Sequence, residues 1–376
     1  MRKNYTNDEL AVIILDSFQN LEYKHKSAIL ALYNKPSDIF NDFEKAVTYL
    51  TENIGAPAAN TFIKSFGGGE YTVYVLDSLN KKGVTAVTYL SGDYPESFEN
   101  LPLMPICLYC KGNLSLLNAE RKIAVVGSRR TLPFVLKKSE QICKDLSRAG
   151  EVVVTGSAVG GDRSAILGAI ESGNVISVLA HGFDYVYPQS NRELIEKVAE
   201  CGLVVSEYAP DVPSNAWRFP MRNRIIAALS DCAFILSGDL ESGTRYTAKY
   251  AEAYSRRLYA FPYSIGERSG EICNLLIKLN KAALVEETED IAIGENLNLE
   301  EEPELDLADD ENEIFCAMKG ESTVDELCAA TDKRAFEILP VLSMLEIKGF
   351  VSRGKTAGTY IPVKKSKKPV KSQENE

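Results

Sequence analysis

Between Ile123 and Ser164 two short apolar runs, Ile123-Ala-Val-Val126 and Val152-Val-Val154, each stop at a glycine, Gly127 and Gly156, with an amphipathic stretch to Gly150 between them. Runs that are apolar on both faces and end at glycine read as buried parallel strands, so this stretch commits the chain to a strand-helix-strand unit. Above the carboxyl end of such a strand, glycine lets backbone approach an anion. The N–H groups of the following helix then point at it, and a nearby arginine adds further donors. Gly127, Ser128, Arg129 and Arg130 form one candidate phosphate turn, and Gly156, Gly160 and Arg163 a second. A strand ending in Gly-Ser is also an ordinary turn in many α/β proteins. No second or third glycine follows Gly127 at the dinucleotide spacing, so NAD is not expected.

The alternation continues downstream. Strands are expected at 175–180, 203–206, 232–236 and 258–261, with helices at 191–201, 221–229 and 244–255 between them. Strands and helices of these lengths predict right-handed crossovers and a Rossmann-like, doubly wound, mostly parallel sheet with its ligand at the carboxyl ends of the strands. Two further strands, Val84–Thr88 and Ile106–Cys110, flank a proline-containing loop and are expected at a sheet edge.

Two smaller parts frame this α/β domain of residues 79–292. Residues 1–78 read as a small helical domain of the SAM or helix-hairpin-helix kind. Leu10, Ile13, Ile14, Phe18 and Leu21 recur at helix spacing, and helical pieces follow to Phe66 and the glycine cluster at 67–69. No Gly-x-Gly hairpin is visible there. Residues 312–363 read as three short helices, one opening on the capping-box pattern Thr323-Val-Asp-Glu326, and then a hairpin, which suggests a winged helix. Its few cations, Lys333, Arg334, Arg353 and Lys355, favour docking a protein over reading a duplex.

The net charge of −11 argues against a polyanionic partner until its distribution is considered. Between Glu286 and Glu313 lie 14 acidic residues and no Lys or Arg, so the rest of the chain holds a small positive excess. That block reads as an acidic linker, 293–311, and residues 364–376 as a basic tail. Eight scattered cysteines read as reduced thiols, and Cys107-Leu-Tyr-Cys110 as two residues of an ordinary strand rather than half a zinc site. No apolar run reaches the ~18 residues of a membrane span. The first residues lack the apolar core of a signal peptide, so a cytoplasmic protein with no membrane, metal or cofactor requirement is expected.

A second basic cluster, Trp217-Arg-Phe-Pro-Met-Arg-Asn-Arg-Ile-Ile226, places Arg222, Asn223 and Arg224 near a helix start, where a phosphate is favoured. Pairing with Glu207 is the plain alternative. Asp162, Asp184 and Glu207 are read as orienting arginines rather than as acid/base catalysts. Gly127-Ser-Arg129, Tyr187-Pro-x-x-Asn191, Ser206-Glu-Tyr208, Phe219-Pro-Met-Arg-Asn-Arg-Ile-Ile226 and Ser242-Gly-Thr-x-x-Thr-Ala248, in this order, resemble the DNA-processing protein A family (DprA, also called Smf). The resemblance covers about residues 84–290. It implies a non-enzymatic protein that binds single-stranded DNA, forms a homodimer through its Rossmann-like domain and loads the RecA recombinase during natural transformation. It also implies phosphate contacts from Arg129, Arg222 and Arg224, with the turns at Gly127 and Gly156, and with Ser242, Gly243 and Thr244, beside them.

The chain departs from the family pattern where an arginine and a histidine are replaced by Val159 and Ile166, where Ser237 replaces an acidic residue, and where Tyr263 replaces a glycine. An alternative reading is a nucleotide-binding or nucleotide-hydrolysing protein of the related lysine-decarboxylase-like group. That chemistry needs a glutamate three residues after Thr244, and Thr247 stands there. A nucleotide-sensing adaptor is a third reading.

Overall fold

The computed structural model describes residues 4–18, 21–66, 69–291, 307–348, 350–354, 356 and 358–363. They fall into two units, Met1–Glu295 and Asn296–Glu376.

The first unit is built on a nine-stranded sheet of β1 (Thr85–Thr88), β2 (Cys107–Gly112), β3 (Lys122–Val126), β4 (Val152–Thr155), β5 (Val175–Leu179), β6 (Leu203–Ser206), β7 (Cys232–Ile235), β8 (Arg257–Ala260) and β9 (Ala282–Leu284). Their spatial order is β1-β2-β6-β5-β4-β3-β7-β8-β9. From β6 to β9 all neighbours are parallel, whereas β1 and β2 join antiparallel at one edge, as expected from sequence. The central strands are buried on both faces, which is why they read as continuous apolar runs.

Helices cover the sheet. Five precede it: α1 (Asn7–Asp16), α2 (Tyr23–Leu30), α3 (Glu44–Asn53), α4 (Ala56–Phe66) and α5 (Glu70–Lys82). The helix α1 opens on a reciprocal cap in which Thr6 Oγ1 accepts from the Glu9 amide at 3.2 Å and Glu9 Oε2 from the Thr6 amide at 2.9 Å. From sequence the helical region stops at the 67–69 glycines; in the structure α5 follows directly, and its Val75 and Leu79 pack with Ile13 of α1 onto Cys107 and Tyr109 of β2. That helix was not legible because two of its apolar residues, Val73 and Tyr74, are exposed and blur its apolar stripe. Cys107 and Cys110 lie on opposite faces of β2, in separate apolar layers.

Along the α/β part, α6 (Pro133–Arg148), α7 (Gly161–Ala169) and α8 (Arg192–Cys201) line one face, and α9 (Arg218–Ala228), α10 (Thr244–Ala253) and α11 (Glu271–Lys278) the other. The result is three layers, helix on sheet on helix. Ile166, where a histidine is common in the family pattern, is fully buried in the apolar layer with Ile123 and Val125.

In the second unit α12 (Asp309–Ala317), α13 (Val324–Thr331) and α14 (Ala335–Ile347) accompany β10 (Ser322–Thr323), β11 (Val351–Arg353) and β12 (Thr359–Pro362), ordered β10-β12-β11. The expected Thr323–Glu326 capping box is present, at 3.2 and 2.8 Å. Residues 293–306 of the acidic segment, Lys355 and the basic tail lie outside the described residues. Among the described residues no helix is long and apolar enough to cross a membrane.

At the junction of β3 with α7 two glycines meet backbone to backbone. A Cβ on Gly161 would stand 2.4 Å from the Gly127 Cα, and one on Gly127 would stand 2.9 Å from the Gly161 Cα. Gly161→Ala is therefore expected to lose about 1–3 kcal/mol of stability by urea denaturation. Gly243→Ala, which meets nothing within 4 Å at a helical φ of −59°, is expected to leave the midpoint unchanged or raise it.

Candidate functional site

The strand order reverses at β3, whose neighbours are β4 and β7. The chains leaving β3 and β7 turn to opposite faces, and the crevice between them is where an open α/β sheet binds ligands. A cleft of about 690 Å³ opens there. Its walls are the Gly127–Arg130 turn after β3, the Asp239–Thr247 segment after β7 and the first turns of α9.

The Gly127 turn differs from the expected anion cup. The Ser128 amide donates to Ser237 Oγ at 2.9 Å, and the Arg130 amide to Ser128 Oγ at 3.1 Å. Thr131 Oγ1 also lies 2.5 Å from Ser237 Oγ, so the serine in place of the family's acidic residue ties β7 to this turn. The turn thus presents side chains, the exposed Arg129 and Arg130, rather than amides. The helix α10 begins at Thr244 with no side-chain cap from Gly243; the Arg245 and Tyr246 amides turn back to the Ser242 and Gly243 carbonyls, and the positive end of the helix borders the cleft. Ser242 and the buried Thr247 stand beside it with hydroxyls that have no hydrogen-bond partner.

The second glycine turn reaches the cleft through Ala158 and Asp162, not through its glycines. A Cβ on Gly156 would stand 2.2 Å from Asp162 Oδ2 and 2.6 Å from Arg222 Nη2, and one on Gly160 would stand 2.4 Å from the Ser128 carbonyl. These glycines make room for protein, not for a ligand. Arg163 is likewise held inside the fold, its Nη1 donating at 2.7 Å to Asn191 Oδ1, while Asn191 Nδ2 donates to the carbonyls of Ser157 and Ala158. Gly156, Gly160 and Arg163 therefore support the site without lining it.

Arg222 and Arg224 were expected together on a surface; both are buried, and they part. Arg222, 4% exposed, lines the cleft floor. Its Nη1 donates to the Val178 carbonyl and its Nε to Asn223 Oδ1 at 3.1 Å, and Asn223 Nδ2 reaches the Gly243 carbonyl at 3.2 Å. Burial pushes Asp162 above the usual carboxylate range, opposed by Arg222 and by the amides of Ala158 and Gly127. Burial also lowers Arg222, which remains a cation because a guanidinium holds its proton far above neutral pH. Arg224 points to the other side of α9, where its Nη2 donates to Glu207 Oε2. Two residues along a helix is about 200° of rotation, so the separation was readable in the sequence once the helix was placed.

Two aromatic side chains complete the cleft. Tyr187 and Phe219 meet edge to face at 5.4 Å, and the Arg129 guanidinium carbon lies 5.6 Å from one ring and 5.7 Å from the other. Both residues belong to recognised motifs, but their meeting across more than thirty positions gives no local signal. Asp239 and Glu241 bring carboxylates to the same rim, balancing part of the arginine charge. Tyr263, at a position where the family pattern has glycine, packs its ring on Gly270 and donates to the Leu236 carbonyl at 2.7 Å, bracing the end of β7.

The family model for DNA recombination-mediator protein A matches residues 85–295. The chain belongs to this family. The DNA processing protein DprA of Bacillus subtilis is 33% identical over 192 residues, covering 51% of this chain and 65% of that protein. The protein Smf of Escherichia coli is 30% identical over 289 residues, covering 73% of this chain and 76% of that one. The chain thus spans somewhat under two thirds of the Bacillus protein's length. Among solved structures, DprA of Streptococcus pneumoniae superposes with a TM-score of 0.61 at 28% identity, covering 77% of this chain and 97% of that one. DNA processing protein A of Helicobacter pylori, described for its single-stranded DNA binding mode, superposes with a TM-score of 0.51 at 30% identity, covering 55% and 93%. The mostly parallel sheet and its flanking helices are the fold expected of the family.

The Arg224–Glu207 pair is nearly sealed, with side-chain exposures of 6% and 11%. Arg224→Ala, which strands the carboxylate, is expected to lose about 3–5 kcal/mol by urea denaturation. Replacing both residues by apolar ones of similar size should recover most of that loss.

Proposed function

We propose that this protein binds single-stranded DNA in the cleft between β3 and β7, acting as a binder rather than an enzyme. One observation supports this above the others: exposed arginines, an aromatic pair and an uncapped helix N-terminus share one open cleft. Such a groove holds the backbone by charge and N–H groups and the bases by stacking, without reading their sequence. The family's Helicobacter member is described as a single-strand binder, and the arginines here sit on the same sheet architecture. Thr247 occupies the place where nucleotide hydrolysis would need a glutamate, which supports binding over catalysis.

The further role follows the family. The bound strand is handed to the RecA recombinase during natural transformation, by a homodimer joined through the Rossmann-like domain. The C-terminal unit acts as a winged helix that docks protein.

The test is a fluorescence-anisotropy titration with single- and double-stranded oligonucleotides at two or more salt concentrations. Single strands are expected to bind preferentially. Three arginines on phosphates give a slope of roughly −2 in log affinity against log salt. Arg129→Ala, an exposed change, should weaken binding about tenfold with the fold intact, as loss of one charged phosphate contact. Equal binding of duplex, or no effect of Arg129→Ala and Arg130→Ala together, contradicts the proposal.

A further inference from the structure

A second cleft, of about 610 Å³, lies on the opposite side of α9, where the N-terminal helices face the sheet. Leu21, Tyr23 and Lys26 form one wall, and Tyr208, Trp217 and Arg224 the other. At its floor Arg224 is only 5% exposed, and its Nε and Nη1 have no protein acceptor although Nη2 is held by Glu207. Arg224 thus retains donors that nothing among the described residues satisfies. At its rim Trp217 is 56% exposed, and the Arg218 guanidinium carbon stands 5.3 Å from the Trp217 ring and 4.7 Å from the Tyr208 ring. Arginine and aromatic faces together make a stacking shelf.

Only α9 separates the two clefts. Phe219, Arg222 and Asn223 line the first; Trp217, Met221 and Arg224 line the second. A helix is roughly 10 Å across, a distance that roughly three nucleotides cover even at their stacked spacing of 3.4 Å.

We propose that the second cleft is a further subsite for the same single strand, taking one nucleobase on the Trp217, Arg218 and Tyr208 shelf as the strand crosses the N-terminus of α9. The inference rests on the single-strand reading of the first cleft. A neutral base suits this pocket, because Asp16, Glu22 and Glu207 are each paired with a cation, Lys26, Lys24 and Arg224, which leaves the aromatic and Arg218 faces as its main recognition surface. The base stacks on this shelf, above the enclosed Arg224–Glu207 pair.

Trp217 is the only tryptophan of the chain, so its emission reports this shelf directly. The full-length protein is titrated with thymidine monophosphate, a dithymidylate and a twelve-residue oligothymidylate. Tryptophan emission and the anisotropy of the labelled oligomer are followed together. The twelve-mer is expected to quench Trp217 saturably, at the concentrations where anisotropy rises, and the shorter ligands are not. Trp217→Ala should weaken the twelve-mer at least fivefold, as loss of one stacked base, and Trp217→Tyr should restore most of that affinity. A twelve-mer that binds by anisotropy without altering Trp217 emission, and binds Trp217→Ala as it does the parent, overturns the subsite and leaves the first cleft standing. Quenching by the monophosphate at equal concentration overturns it in favour of a free-nucleotide pocket. Absence of any anisotropy change overturns the single-strand reading itself, and the subsite with it.

Discussion

Gly127 and Gly161 meet backbone to backbone, and a Cβ at either position would force β3 away from α7. That contact sets the level at which the chain leaves β3, and so the height of Arg129 and Arg130 above the sheet. Ser237 holds the same turn from the other side by accepting the Ser128 amide. The Gly127 turn is thus held from two sides, by α7 and by the residue that follows β7, while Arg129 and Arg130 on it are exposed. Ser237 accepts that amide without adding a charge to the cleft.

The helix α9 is the second organising element. It begins beside both clefts and distributes its side chains by rotation, so Arg222 enters one and Arg224 the other. Each arginine is buried and each is restrained by an oxygen of the protein, the Val178 carbonyl or the Glu207 carboxylate. Buried guanidinium groups held in this way are pre-organised, losing little freedom when an acceptor arrives. The exposed arginines of the Gly127 turn are the opposite case, reaching into solvent where their charge acts at longer range.

The departures from the family pattern also sort by position. Ile166 sits in the apolar layer under α7, away from the cleft, and Tyr263 braces the end of β7. Neither places a new group in the first cleft. The helix end that borders the cleft is that of α10, which Gly243 leaves without a side-chain cap.

The sequence alone determined the local elements: the strands, from apolar runs ended by glycine; the capped helix at Thr323; and the α/β alternation that implies a parallel sheet. These depend on neighbours within a few positions, so their signal survives without the fold. It also contained the parting of Arg222 and Arg224, which is a matter of helical rotation. Tertiary structure alone decided that the Ser128 amide is already taken, since its acceptor lies 109 positions away. It likewise decided that Gly156 accommodates Asp162 and Arg222 rather than a ligand, and that Tyr187 and Phe219 enclose Arg129. Whether a donor is free is a property of what the folded chain brings against it, and no pattern within one segment records that.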